Sequence, residues 1–163
     1  HGFTIKYIKK DNGGKHTALN IAFEIVNTEL LFIVDSDDVL TPQAIETVVY
    51  DWGKYHDDQL CGISYLRGYP DGIPIGDLFP KDNLIDSFAK VRINQHIEGD
   101  KAEVWATNYL KGFRFPVFPG EKFIGENYVW LQVSKLANIL FRNEVIYQTQ
   151  YLEGGMHSVR SPL

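Results

Sequence analysis

The chain has 163 residues, enough for one domain whose core needs no covalent staples. Its 16 Lys and Arg against 21 Asp and Glu leave a formal charge of −5, which argues against a nucleic-acid binder working by bulk charge. The single cysteine, Cys61, rules out an internal disulfide, and no apolar run approaches the roughly 18 residues of a membrane-spanning helix.

The chain opens without Met and runs at once into a strand pattern, as in a piece that starts in mid-domain. Phe3, Ile5 and Tyr7 alternate with polar residues, the period of a strand. Residues 9–14 form a polar turn. Leu19, Ala22, Phe23 and Val26 then sit at helical spacing, which predicts a helix over about 15–27. Leu30 to Val34 is a continuous apolar run, expected of a strand buried on both faces. Thr41-Pro42 is a helix start, with Thr as N-cap and Pro at N1, and Ile45, Val48, Val49 and Trp52 mark one helix face. Leu60 to Leu66 reads as the next strand. Strand, helix, strand, helix, strand implies a parallel α/β sheet with crossover helices.

The second half is less regular. Residues 73–99 are hard to assign, with a short helix expected near Ile85 to Val91. Lys101 to Trp105 reads as a strand and Phe113 to Glu121 as a loop. Val129, Trp130, Val133 and Ala137 predict a helix over 127–137. Leu140-Phe141 and Val145 to Tyr151 read as two late strands, followed by a polar tail.

Asp35, Asp37 and Asp38 directly follow the apolar run. Ligands of open α/β sheets bind beyond the carboxyl ends of strands. Three carboxylates within four residues repel one another unless a cation or hydrogen-bond donors neutralise them. Hard divalent cations take such oxygens together with phosphate oxygens, so the cluster points to a metal-diphosphate site. The plainer alternative is an acidic cap on the helix starting at Pro42.

Two families use a cluster of this kind. Asp35-Ser36-Asp37-Asp38-Val39 resembles the first motif of haloacid-dehalogenase-like phosphatases, and Gly76-Asp77 with Asp82 mimics a later one. That resemblance implies Asp35 as nucleophile and Asp37 as acid/base. The phosphatase motif, however, ends the first strand of its domain, whereas here a strand and a helix precede it. The other resemblance covers roughly residues 3–153. Asn12-Gly13-Gly14-Lys15-His16-Thr17-Ala18-Leu19-Asn20 resembles the N-x-G-x-x-x-A-x-N segment of family 2 glycosyltransferases, and Leu31 to Asp38 resembles their L-D-S-D-D motif. Residues 99–104, 118–123, 126–130 and 143–147 are similar to the acceptor half of bacterial capsule or cell-wall polysaccharide members.

This resemblance implies a GT-A fold: α/β, three layers, a mostly parallel central sheet, and a single domain over 1–163 with a donor half (1–66) and an acceptor half (67–163). Members begin with a strand, a helix and a strand before the position of Phe3, so the domain is expected to be N-terminally incomplete. The implied activity is inverting transfer of a sugar from a nucleotide-diphosphate donor, a UDP-sugar first, to a glycan or lipid-linked acceptor, assisted by Mn²⁺ or Mg²⁺. A non-catalytic nucleotide- or sugar-binding remnant is the third reading. The implied location is cytoplasmic, with peripheral contact at the inner membrane face.

Residue by residue, the resemblance implies that Asp37 holds the metal and Asp35 orients the ribose or a metal-bound water. Asp38 is a further ligand or a support behind it; which of the three binds the ion directly stays open. Asn12, Gly14 and Lys15 would meet the donor, with His16 a surface residue. Asp100 would contact the donor sugar. Glu126 is the expected general base, with Glu121 second. Trp105 and Trp130 are candidates for stacking on sugars or for the core. His157 and Arg160 would close over the diphosphate.

Overall fold

Strand β3 (Leu60–Gly68) is apolar or small almost throughout, and it lies at the centre of a six-stranded sheet with both faces covered. The computed structural model describes residues 2–57 and 59–149. In chain order the elements are α1 (Lys15–Ile25), β1 (Leu30–Phe32), β2 (Val39–Leu40), α2 (Ala44–Tyr55), β3, β4 (Leu84–Asp86), a π-helical turn (Ala89–Asn94), β5 (Lys101–Ala106), α3 (Thr107–Leu110), α4 (Asn127–Val133) and β6 (Asn138–Gln148).

The strand order is β1-β5-β3-β6-β2, with β4 also pairing β6. Only β3 and β6 pair in parallel; the other four pairings are antiparallel. The expectation of a mostly parallel sheet is therefore corrected, for a topological reason. β1 and β3 are both antiparallel to β5, so they run the same way, as a crossover through α2 demands. β5 inserts between them in the opposite sense. The chain returns to it through residues 69–100, which hold no α-helix that could carry it back over the sheet.

Two apolar clusters lie on the two faces, giving three layers. One gathers Leu19 and Phe23 of α1 with Val129, Trp130 and Val133 of α4 against Trp105, Cys61 and Phe141. The other packs Ala44, Val48 and Trp52 of α2 against Ile63, Tyr65, Val104 and Leu140. Gly62 lies where β3 and β5 approach closely. A Cβ there would run into the Val104 carbonyl, so no larger residue fits without moving a strand.

Several expectations are revised by packing. Residues 3–7 form no strand, and Phe3, Ile5 and Tyr7 are exposed, because no strand among the described residues lies alongside to pair with them. α2 begins at Ala44; Thr41 instead donates its N–H to Ile146 O (2.9 Å) and accepts from Ala44 N, making the turn that leads in. The buried face of α2 is Ala44, Val48, Asp51 and Trp52, leaving Ile45 and Val49 exposed. Residues 84–94 form β4 and the π-helical turn, and α4 stops at Val133. The two late strands are one, β6, whose register against β3 shifts between Phe141 and Val145.

That irregularity holds an ionic network. Arg142 pairs with the buried Asp51 of α2, with Asp82 (3.2 Å) and with Glu144 (2.8 Å), and Tyr65 OH donates to Asp51 (3.0 Å). Removing the guanidinium would strand a buried carboxylate. Arg142→Met is expected to cost about 3–5 kcal/mol of stability, read by urea denaturation. A loss under about 1 kcal/mol would show that Asp51 is neutralised in some other way.

Candidate functional site

The loop Asp35–Asp38 leaves the carboxyl end of β1 and closes with Asp38 N–H donating to Asp35 O (3.2 Å). The carboxylates of Asp35 and Asp38 are neutralised by the protein itself. Arg67, near the end of β3, reaches Asp35 Oδ2 (3.5 Å) and Asp38 Oδ2 (3.4 Å). Tyr147 of β6 accepts the Asp35 N–H (2.8 Å) and donates to Asp38 Oδ2 (2.8 Å). Arg67 and Tyr147 are register partners, and the guanidinium lies 4.1 Å from the phenol ring centroid, a cation–π contact. Burial opposes the Arg67 charge, but Tyr147 and then the carboxylates of Glu103, Asp35 and Asp100 outweigh it and raise its pKa.

Asp37 is different. It is exposed, and no described residue engages its carboxylate in a hydrogen bond or ion pair. The Asp38 side chain is only 6% exposed and anchors the loop. Asp37 thus presents a carboxylate outward, while Asp38 faces the protein. Among the described residues no group of three or more His, Cys, Asp or Glu is gathered to hold a metal ion.

Lys15 joins the two halves of the chain. Its Nζ lies 2.5 Å from Asp35 Oδ1 and 2.7 Å from Glu126 Oε1, the residue that opens α4. Burial opposes the ammonium charge, but hydrogen bonds to these carboxylates outweigh it and raise the Lys15 pKa. Asn12 Oδ1 accepts the Gly14 N–H (3.1 Å), shaping the turn before α1. Gly14 has φ 89°, and a Cβ there would strike the Lys122 carbonyl, so the turn packs directly on the loop before α4. Asn20, the last residue of the same motif, brackets Phe115 through both backbone groups (2.8 and 3.0 Å). The motif thus locks α1 to the loop before α4.

A cavity of about 180 Å³ opens beside these groups. Arg67, Asp100, Glu103, Glu126, Asn127 and Trp130 line it, together with Arg92 and Lys101. Arg92, from the π-helical turn, donates to Ile97 O and Gly99 O (both 2.9 Å). Lys101 donates to Glu98 O (2.9 Å), and burial together with the nearby Arg92 lowers its pKa to about 8. An unfolded lysine titrates near 10.5, so between pH 8 and 10.5 the folded chain releases a proton that the unfolded chain keeps. Stability conferred through this group therefore rises across that window. Denaturation at pH 7.5 and 9.5 should show such a rise relative to Lys101→Met; equal pH dependence in both proteins would contradict it.

Of the residues singled out in the sequence, Lys15, Asp35 and Glu126 are brought together, and Asp100 lines the adjoining cavity. Asn12 and Gly14 shape the turn that delivers Lys15. Glu121 is exposed and caps its own loop through Phe123 N–H (2.7 Å). Trp105 is wholly buried and stacked on Trp130 (4.7 Å between centroids), so it belongs to the core, while Trp130 also borders the cavity. His16 is buried at 1% exposure against Phe115, contrary to the expected surface position. His157 and Arg160 lie outside the described residues. Arg67, Tyr147, Glu103 and Arg92 were missed; all but Tyr147 line the cavity. A basic residue at the end of a buried strand was the one available signal, at Arg67.

No helix among the described residues is long and apolar enough to cross a membrane. A search of curated protein sequences finds no match. Among solved structures the fold is similar to that of S. aureus TarS 1-349, at TM-score 0.63 and 17% identity, over 88% of this chain and 42% of that one. The same TarS segment in complex with UDP-GlcNAc matches at TM-score 0.66 and 18% identity, over 96% of this chain and 44% of that one. The chain thus spans less than half the length of these structures and shares their mixed α/β GT-A architecture around a central sheet. The sequence profile described as glycosyl transferase family 2 matches residues 1–113, more than half of the 163. By that match the chain belongs to glycosyl transferase family 2.

Proposed function

We propose that this chain carries the donor-diphosphate and base-bearing site of a sugar transferase that uses a nucleotide-diphosphate donor, a UDP-sugar in the first instance, and a glycan or lipid-linked acceptor. The observation that carries the reading is the Lys15 bridge between Asp35 and Glu126 at the mouth of a polar cavity. It puts a donor-half carboxylate and the candidate base within one ammonium's reach of each other. A TarS structure has UDP-GlcNAc bound on a similar fold, which supports the nucleotide-sugar class.

The Asp37 carboxylate, which no described residue engages, would hold one Mn²⁺ or Mg²⁺ together with diphosphate oxygens and water, the usual manner for Mg²⁺. Such an ion, when bound, would supply Lewis-acid stabilisation of the departing diphosphate. Asp38 then serves as the anchor that holds the loop to Arg67 and Tyr147. Arg67 and Lys15 bring positive charge to the place where the leaving group gains negative charge. Glu126, released from Lys15, would take the proton of the acceptor hydroxyl.

The phosphatase alternative lacks support, because Asp82 is occupied by Arg142 and Asn143 N–H, and Asp77 accepts from Glu98 N–H. The test is calorimetric titration of UDP with and without Mn²⁺, beside an assay of p-nitrophenyl phosphate hydrolysis. Mn²⁺-dependent UDP binding without hydrolysis is expected. Hydrolysis that is lost in Asp35→Asn would support the phosphatase. No binding of UDP or other nucleotides would support a remnant.

A further inference from the structure

The Asp37 side chain is exposed, and no described residue engages its carboxylate. Its direction is therefore set by the backbone of the turn that carries it, Asp35 to Asp38, closed by the Asp38 N–H on Asp35 O. Whatever fixes the two ends of that turn fixes where Asp37 points. One oxygen atom reaches both ends. The Tyr147 hydroxyl accepts the Asp35 N–H (2.8 Å) and donates to Asp38 Oδ2 (2.8 Å), so its single proton is spent on the turn together with an acceptor site. Arg67 reaches the same two residues, but through their carboxylates and at 3.4–3.5 Å, whereas Tyr147 grips the main chain at Asp35.

The fold keeps this hydroxyl still. Tyr147 is wholly buried in β6, paired with Leu40 of β2 on one side and with Arg67 of β3 on the other. The Arg67 guanidinium lies over its ring, and Phe32 at the end of β1 packs beside it (6.2 Å between centroids). Phenylalanine would keep the ring, the guanidinium contact and the packing. Burying a hydroxyl costs free energy unless its hydrogen bonds are made, and here the turn makes them. A loop leaving a strand of only three residues thereby gains the rigidity of three paired strands.

We infer that Tyr147 is a positioning residue for the proposed transfer: by pinning both ends of the turn, it fixes the direction in which Asp37 presents its carboxylate to the metal ion. The inference rests on the donor-site reading above, in which Asp37 holds the ion. Tyr147 acts through the turn and not by contact with ion or donor. Groups that orient a metal ligand from behind typically change metal affinity or activity by about 10- to 100-fold when removed.

The test compares two matched variants of the whole chain with wild type. Tyr147→Phe takes a hydroxyl away from the turn. Tyr65→Phe takes one away from Asp51, in an equally buried tyrosine whose partner belongs to the Arg142 network. Mn²⁺ binding is read by electron paramagnetic resonance in the presence of UDP, UDP binding by calorimetry with and without Mn²⁺, and stability by urea denaturation. Both variants should fold with a lowered urea midpoint. Only Tyr147→Phe should weaken Mn²⁺ binding, by about 10- to 100-fold, with metal-free UDP affinity kept. Added to Asp37→Asn, it should leave UDP affinity in the presence of Mn²⁺ unchanged, because the path through Asp37 is already cut. The inference is overturned if Tyr147→Phe binds Mn²⁺ as tightly as Tyr65→Phe does, or if metal-free UDP affinity falls in step with Mn²⁺ affinity. A further loss of UDP affinity in the double variant would also overturn it. Failure of wild type to bind Mn²⁺ with UDP would instead overturn the donor-site reading, and the inference with it.

Discussion

Glu126→Gln is expected to lower kcat by about 10²- to 10⁴-fold, the usual range for loss of a general base, while donor affinity is kept. Glutamine preserves the shape and the contact to Lys15 but cannot take a proton. Glu126 opens α4 where that helix meets Lys15 and the cavity, and Glu121, the other candidate in the same loop, is turned to its own backbone. The check is a single-turnover rate measured beside a donor titration. If kcat falls less than tenfold, Glu126 is not the base. If donor affinity falls in step with kcat, its role lies in ground-state binding.

The second large effect separates two neighbouring aspartates. Asp37→Asn is expected to leave stability within about 0.5 kcal/mol, because the side chain is exposed and no described residue engages it. It should nonetheless lower kcat by about 10²- to 10³-fold, the scale on which a single electrostatic contact to developing charge acts. Nucleotide binding by this variant should no longer respond to Mn²⁺. Asp38→Asn should do the reverse in part. It weakens the hydrogen bond from Tyr147 and the charge pairing with Arg67, and should cost about 1–3 kcal/mol in denaturation. If both variants lose Mn²⁺ response with no stability change, Asp38 is a metal ligand after all.

The first 66 residues were the more legible part because their signals are local. The apolar run into Asp35-Ser36-Asp37-Asp38 and the Asn12–Asn20 motif lie within a few residues of the chemistry they imply. Even so, the motif's chief structural work, clamping α1 onto Phe115 and Lys122, involves partners about a hundred residues away. Arg67 and Tyr147 show why the remainder was not legible. They are 80 positions apart and meet only because β3 and β6 pair in that register. The direction of β5 was missed for a similar reason. Residues 69–100 carry no periodic helix, and hydrophobic period alone does not tell which way a strand runs. Burial also overrode periodicity in α2, where Asp51 lies on the inner face because Arg142 and Tyr65 neutralise it.

The central claim is that the Asp35–Asp38 loop, Arg67 and Lys15 surround the donor's diphosphate, with Glu126 beside it as the base. Anomalous diffraction from Mn²⁺ in crystals grown with UDP tests it most directly. The account predicts one manganese peak beside the Asp37 carboxylate, with diphosphate oxygens bridging toward Arg67. A manganese peak elsewhere, or UDP bound away from residues 35–38, would contradict it.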